Sequence, residues 1–236
     1  METIFCDFDG VLFDSVKEAY LLSRYVCNGI SPNEKICETE FNSFSSLRYL
    51  ISDSWQYYYL FKVIKSDTEQ NPEKIYHQYI KQRKITEDKE FDKNFQKKRK
   101  DLIKNEYKFW NSLEIPYTFF EEIKKIKDRI NFLILSTKNE EAIIRHCNDY
   151  GFIISKERVI GKNKLKKFGS KRIFMEYYIN TYKINNAIFI DDNINTIEDC
   201  KNIPEIKAYL AGWGYCSPTQ KGYNCEEIIK KIKEII

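Results

Sequence analysis

Ile4-Phe5-Cys6-Asp7-Phe8-Asp9-Gly10-Val11-Leu12-Phe13-Asp14-Ser15 is the stretch from which the fold is read. An apolar run ends in two carboxylates two residues apart, with a glycine directly behind them. On an extended chain that spacing places Asp7 and Asp9 on one face. Burying such a pair without a cation is costly, because like charges repel and each ion loses its hydration. A hard, oxygen-seeking ion such as magnesium relieves the repulsion. Gly10 permits a sharp backbone exit, leaving both acids at the carboxyl edge of a sheet, where open α/β sheets hold their ligands.

Working outward, Thr3–Phe8, Asn131–Leu135, Ala187–Ile190 and Ile206–Ala211 are short, non-alternating apolar runs of the kind that form buried parallel strands. Between and after them, Phe119–Arg129, Glu140–Tyr150, Arg172–Tyr182 and Glu226–Ile236 carry apolar residues at three- and four-residue spacing. Strands alternating with such helices predict an α/β fold, a doubly wound Rossmann-like parallel sheet. The rhythm breaks between Val16 and Ile115, where the patterns are helical: Lys17–Cys27, Ser46–Ile64, Pro72–Lys84 and Lys89–Leu113. This predicts an all-helical domain at 16–115 inserted into a core made of 1–15 and 116–236.

Two more strand ends carry chemistry. Phe132-Leu133-Ile134-Leu135-Ser136-Thr137-Lys138-Asn139 ends in hydroxyls, and the helix start behind them favours an anion. Ala187-Ile188-Phe189-Ile190-Asp191-Asp192-Asn193 again runs from a buried strand into paired acids. Two carboxylate clusters at neighbouring strand ends predict a metal site drawn from Asp7, Asp9, Asp191 and Asp192.

In this order the segments resemble the haloacid dehalogenase-like phosphatases. Asp7-Phe8-Asp9-Gly10-Val11-Leu12 with Asp14-Ser15 resembles the family's opening signature, Ser136 its second motif, and Asp191-Asp192 its fourth. Ala211-Gly212-Trp213-Gly214-Tyr215 is similar to a segment after the last core strand in phosphoglycolate-phosphatase-like members, and the helical insertion lies where the family places a cap domain. The resemblance implies that Asp7 attacks phosphorus to form an aspartyl phosphate, and that Asp9 protonates the leaving group and then activates water. It further implies that Ser136, with Thr137 and Gly10, contacts the phosphate. Asp192 would ligate Mg2+ directly, and Asp191 directly or through water. The third motif is a lysine that neutralises aspartate and phosphate. Lys167 precedes Asp191 by 24 residues (191 − 167), a spacing similar to that of sugar-phosphate mutases, and is the first choice; Lys171 is the second. Phe168 departs from the proline that often follows this lysine. Asp14 and Ser15 are expected to cap the next helix.

Bulk properties narrow the function. The chain has 236 residues, 42% of them hydrophobic and 31% charged, enough for a packed core beneath a polar surface. No apolar run approaches the roughly 20 residues that span a bilayer, and METIFCDFDG lacks the basic-then-apolar pattern of a secretory signal, so a cytoplasmic protein without a membrane partner is expected. Seven scattered cysteines without a Cys-x-x-Cys pair predict reduced thiols, and only two histidines argue against zinc or triad chemistry.

The expected function is Mg2+-dependent hydrolysis of a small phosphorylated metabolite. One alternative is a phosphomutase acting on a sugar phosphate. Another, of a different class, is a polyanion-binding protein using Phe95-Gln96-Lys97-Lys98-Arg99-Lys100 with Lys104 and Lys108. Interspersed acids favour reading that segment as a solvated helix face. In the helical domain Arg24, Arg48 and Trp55–Tyr59 are candidates to face substrate, although aromatics at helical spacing more often fill a core.

Overall fold

Strand β1 (Thr3–Cys6) is buried along its whole length in the computed structural model, which describes residues 1–66 and 70–236. The chain divides into two compact units, one of Met1–Asp14 with Ile115–Ile236 and one of Ser15–Glu114.

In the core unit, β1 is followed by β2 (Phe13–Asp14), β3 (Ile115–Pro116), β4 (Asn131–Leu135), β5 (Val159–Ile160), β6 (Ala187–Asp191) and β7 (Ile206–Leu210). Among the described residues β1 and β4–β7 form a five-stranded parallel sheet in the order β5-β4-β1-β6-β7. Strand β1 therefore sits centrally, with Cys6 paired to Ile134 on one side and to Ile190 on the other. The chain winds away from β1 in both directions, which opens a crevice at the strands' carboxyl ends. The short antiparallel pair β2–β3 sets Asp14 beside Ile115, so the points where the chain leaves and re-enters this unit are adjacent.

Neighbouring residues on each strand face opposite sides of the sheet. Ile4 and Cys6 join Phe119, Phe120, Ile123, Ile228 and Ile232 on one side. Phe5, Leu133, Leu135 and Phe189 join Phe174, Met175, Ile179, Ile197 and Cys200 on the other. Each fully buried Phe or Ile contributes about 1.5–3 kcal/mol of transfer free energy, which fixes the register: a one-residue slip would turn the whole set to the wrong side.

The helical unit runs α1 (Val16–Asn28), α2 (Glu38–Ser46), α3 (Tyr57–Ile64), α4 (Pro72–Lys81), α5 (Ile85–Asn105) and α6 (Tyr107–Asn111). Helix α1 stops at Gly29, whose left-handed φ of 72° lets its N–H return to Tyr25 O. Glu18 of α1 is wholly buried and accepts from Arg99 Nε and Nη2, both at 2.6 Å, and from Trp110 Nε1 at 2.8 Å. This network ties α1, α5 and α6 together through one carboxylate. Helices of the core unit are α7 (Thr118–Ile126), α8 (Glu140–Asp149), α9 (Lys162–Phe168), α10 (Lys171–Tyr182), α11 (Ile194–Cys200) and α12 (Cys225–Lys233). No helix among the described residues is long and apolar enough to cross a membrane.

Two expected helices are broken. The pattern over Ser46–Ile64 is interrupted at Asp53, whose extended backbone and capping box with Gln56 start a new turn. The pattern over Lys89–Leu113 breaks at Glu106 (φ −135°, ψ 44°), and the short α6 that follows carries Trp110 to Glu18.

Candidate active site

Each acid stands where its strand ends. Asp7 follows β1 and donates its N–H to Ile190 O of β6 (2.9 Å), so the first acid is tied to the strand that carries the second pair. Asp191 is the last residue of β6, and Ser136 follows β4 and donates its N–H to Ile160 O of β5 (3.0 Å). The register thus lines up Asp7, Ser136 and Asp191 along one edge of the sheet.

The carboxylates of Asp7, Asp191 and Asp192 each place an oxygen within 4.8 Å of the others. Asp191 is fully buried and Asp192 nearly so. Their positive partner is Lys171, whose Nζ lies 2.9 Å from Asp7 Oδ1 and 2.7 Å from Asp191 Oδ2. Burial pushes the Asp7 carboxyl up to about 7; Lys171 pulls against this, while Asp191 and Asp9 add to it. For Lys171, burial acts downward, but Asp191 and Asp7 outweigh it and hold the ammonium well above its ordinary pKa. Three carboxylates meet the Lys171 ammonium here, and the ligand atoms they offer are all oxygens. That donor set fits a divalent hard cation such as Mg2+, which prefers carboxylate oxygens.

Backbone donors orient the acids further. Phe8 N–H donates to Asp7 Oδ1 (2.8 Å) and Asn193 N–H to Asp191 Oδ1 (2.8 Å). Asn193 itself caps α11, its side chain accepting from Asn195 N and Thr196 N. The turn after β4 is held by Lys138 N–H donating to Ser136 Oγ (3.2 Å), while Thr137 is exposed.

The other residues singled out in the sequence have different surroundings. The lysine beside Asp7 is Lys171, whereas Lys167 is exposed on α9. Lys171 is the first residue of α10, behind the Ser170 cap, and that position aims its side chain back toward the strand ends. Asp9 stands apart from the three-carboxylate cluster; its Oδ1 pairs with Lys138 Nζ at 3.0 Å, and that lysine is buried with its ammonium over the Phe8 ring. Gly10 has φ 84° and donates its N–H to Phe13 O (2.8 Å), which closes the turn. A side chain there would collide with Asp192. Asp14 accepts from Tyr215 OH (2.9 Å), and Ser15, at the N-cap of α1, makes no side-chain cap bond.

The basic segment of α5 is likewise not one surface patch, since Arg99 is buried on Glu18 and Lys98 lies over Tyr25. In the helical unit Arg24 is buried and donates to the carbonyls of Ser31, Glu34 and Lys35, which makes it the organiser of that loop. Arg48 donates to Ile51 O (2.8 Å) and lies over Tyr57. Tyr57 and Tyr59 fill the core, and Trp55 and Tyr58 are partly exposed. Lys138 escaped the sequence reading because a lysine after a strand-end Ser-Thr looks like any solvated lysine. All seven cysteines are free thiols.

Searches for related proteins return no matching family model and no matching curated protein. Solved structures do match along nearly the whole chain. A predicted phosphoglycolate phosphatase from Haemophilus somnus aligns with 98% of both chains at 13% identity and a TM-score of 0.63. A haloacid dehalogenase-like family hydrolase from Streptococcus pneumoniae aligns with 98% of both chains at 12% identity and a TM-score of 0.61. A predicted phosphatase from Clostridium acetobutylicum aligns with 99% of this chain and 98% of its own at 14% identity and a TM-score of 0.59.

Proposed function

We propose that this chain, which has the fold of the haloacid dehalogenase-like hydrolases, is a Mg2+-dependent phosphomonoesterase acting on a small phosphorylated metabolite. The observation that carries the reading is Asp7 itself: a carboxylate at the end of the central strand that keeps only a small exposed surface, clustered with Asp191 and Asp192 and bridged to Asp191 by Lys171.

Asp7 attacks the phosphorus of the ester, forming an acyl phosphate as the phosphorus–oxygen ester bond breaks. The carboxyl of Asp9 delivers its proton to the departing alkoxide. Left as a carboxylate, Asp9 takes a proton from water, and the resulting hydroxide displaces Asp7 from phosphorus and frees inorganic phosphate. Ser136 binds a phosphoryl oxygen through its hydroxyl, and the exposed turn at Thr137 offers a backbone donor beside it. Lys171 neutralises charge shared between Asp7 and the phosphoryl group. Bound by Asp7, Asp191 and Asp192, Mg2+ would supply the remaining positive charge that lets an anionic nucleophile approach an anionic ester. We assign the helical unit the role of a substrate-selecting cap.

Phosphate release from a panel of sugar phosphates, nucleotides and phosphorylated acids, with Mg2+ or with EDTA, tests the reading. Turnover that needs Mg2+ and disappears in Asp7→Asn is expected; turnover that survives in Asp7→Asn overturns the mechanism. A phosphomutase would use the same residues and return an isomeric ester in place of free phosphate.

A further inference from the structure

The segment Ala211-Gly212-Trp213-Gly214-Tyr215-Cys216 takes no part in the chemistry above, yet it touches both acid-bearing loops. Toward the second acid pair, Tyr215 N–H donates to Asp192 Oδ2 at 2.7 Å and Ala211 N–H to Asp191 O at 2.9 Å. The Cys216 thiol points at Asp192 O (3.4 Å) and Ala211 O (3.3 Å). Toward the first acid pair, Trp213 Nε1 donates to Val11 O at 3.0 Å and Tyr215 OH to Asp14 Oδ1 at 2.9 Å. Trp213 is braced against Phe119, ring centroids 5.1 Å apart.

Between the two loops the backbones meet with no room for a side chain. A Cβ on Gly214 would strike Gly10 O and Asp192 Cβ, and a Cβ on Gly10 would strike Asp192 and lie 2.7 Å from Tyr215 Cδ2. Gly10 and Gly214 are glycines because the Asp7–Asp14 loop, Asp192 and the 211–216 segment are stacked directly on one another.

We propose that residues 211–216 are the positioning clamp of the cation site. They hold the Asp192 carboxylate in one orientation and fix the gap between the loop carrying Asp7 and the loop carrying Asp191 and Asp192. The inference rests on the cation site proposed above. Mg2+ demands near-ideal octahedral geometry at short distances, so ligands arriving from two separate strand ends need an external brace. Partners that orient a ligand in this way typically account for 10–100-fold of metal affinity.

The test is Mn2+ binding to the whole protein, followed by the loss of the free Mn2+ electron paramagnetic resonance signal and therefore independent of turnover. Gly214→Ala pushes a methyl group between Gly10 and Asp192, and Mn2+ should bind about 10–100-fold more weakly. Tyr215→Phe removes the hydroxyl that reaches Asp14 and should weaken binding by about 5-fold, the worth of one hydrogen bond. Both are compared at matched melting temperature in EDTA, which separates positioning from general stability. Wild-type Mn2+ affinity in folded Gly214→Ala overturns the clamp. If Gly214→Ala does not fold, Tyr215→Phe decides, and unchanged affinity there overturns it equally. Wild-type protein that fails to bind Mn2+ would remove the cation site itself, a failure of the proposed function distinct from that of the clamp.

Discussion

Replacing Arg99 by Met should destabilise the helical unit strongly, and the size of the effect follows from what surrounds Glu18. That carboxylate has no exposed surface, and both its oxygens are held, one by Arg99 Nε and Trp110 Nε1 and the other by Arg99 Nη2. Removing the guanidinium leaves a buried charge uncompensated, at a cost of about 3–5 kcal/mol. Removing both charges in Glu18→Met/Arg99→Met should cost only about 1–3 kcal/mol, mainly because Trp110 Nε1 loses its Glu18 acceptor. The two single losses therefore exceed the double, and the difference is the coupling of the pair. Urea unfolding followed by tryptophan emission measures all four proteins of the cycle. In Arg99→Met the folded state raises the proton affinity of Glu18 above its unfolded value. The deficit is accordingly smallest at low pH, where the carboxyl is protonated in both states, and grows as pH rises. A loss under about 1 kcal/mol for Arg99→Met, with a double variant that merely sums the singles, would refute the buried-pair reasoning. It would also restore Arg99 to the solvated face on which a polyanion-binding reading depends.

Other outcomes follow from the site. Lys171→Met should lower kcat by about 10²–10³-fold, as loss of one preorganised positive partner does, while Lys167→Met, altering an exposed residue of α9, leaves kcat unchanged; steady-state kinetics on the best substrate of the panel decides between them. Lys138→Met should lower kcat by about 10²-fold on alkyl phosphates, where Asp9 must protonate a poor leaving group, and by less on p-nitrophenyl phosphate; equal losses on both would separate Lys138 from proton transfer. Among the thiols, Cys37 is exposed and its pKa is lowered by the Thr39 hydroxyl, whereas burial raises those of Cys6, Cys27, Cys147, Cys200, Cys216 and Cys225. A disulfide reagent monitored by peptide mapping should therefore modify Cys37 first.

The parts of this molecule that were legible in its sequence are those where one pattern leaves one solution. A strand buried on both sides must be continuously apolar, so β1, β4 and β6 announced themselves, and acids at the ends of β1 and β6 pointed to a cation; β7, at the sheet edge, is apolar only in part and leaves Lys207 exposed. Strand β5 is two residues long, Val159–Ile160, and has no period to detect. Helix α11 is only seven residues long, too short for its buried Ile197 and Cys200 to show a helical period in the sequence. Lysine positions were the hardest to read, because a side chain of that length reaches an active site from many backbone positions. Counting back from Asp191 favoured Lys167, whereas helix phase selects Lys171. Arg24 and Arg99 looked like ligand-binding residues and are structural because each is buried and turns its guanidinium to acceptors within its own unit, Arg24 to three backbone carbonyls and Arg99 to the Glu18 carboxylate.

The central place of β1 has a consequence for synthesis on the ribosome. Thr3 pairs with Asn131 and with Ala187, so its partners are made 128 (131 − 3) and 184 (187 − 3) residues after it. At about 5–20 residues per second the nascent strand, already carrying Asp7, waits roughly 6–26 s for its first neighbour and roughly 9–37 s for its second. All of Ser15–Glu114 is translated within that interval. An apolar strand exposed that long is a target for chaperones, and slow codons between β4 and β6 would lengthen its exposure more than slow codons anywhere after β6.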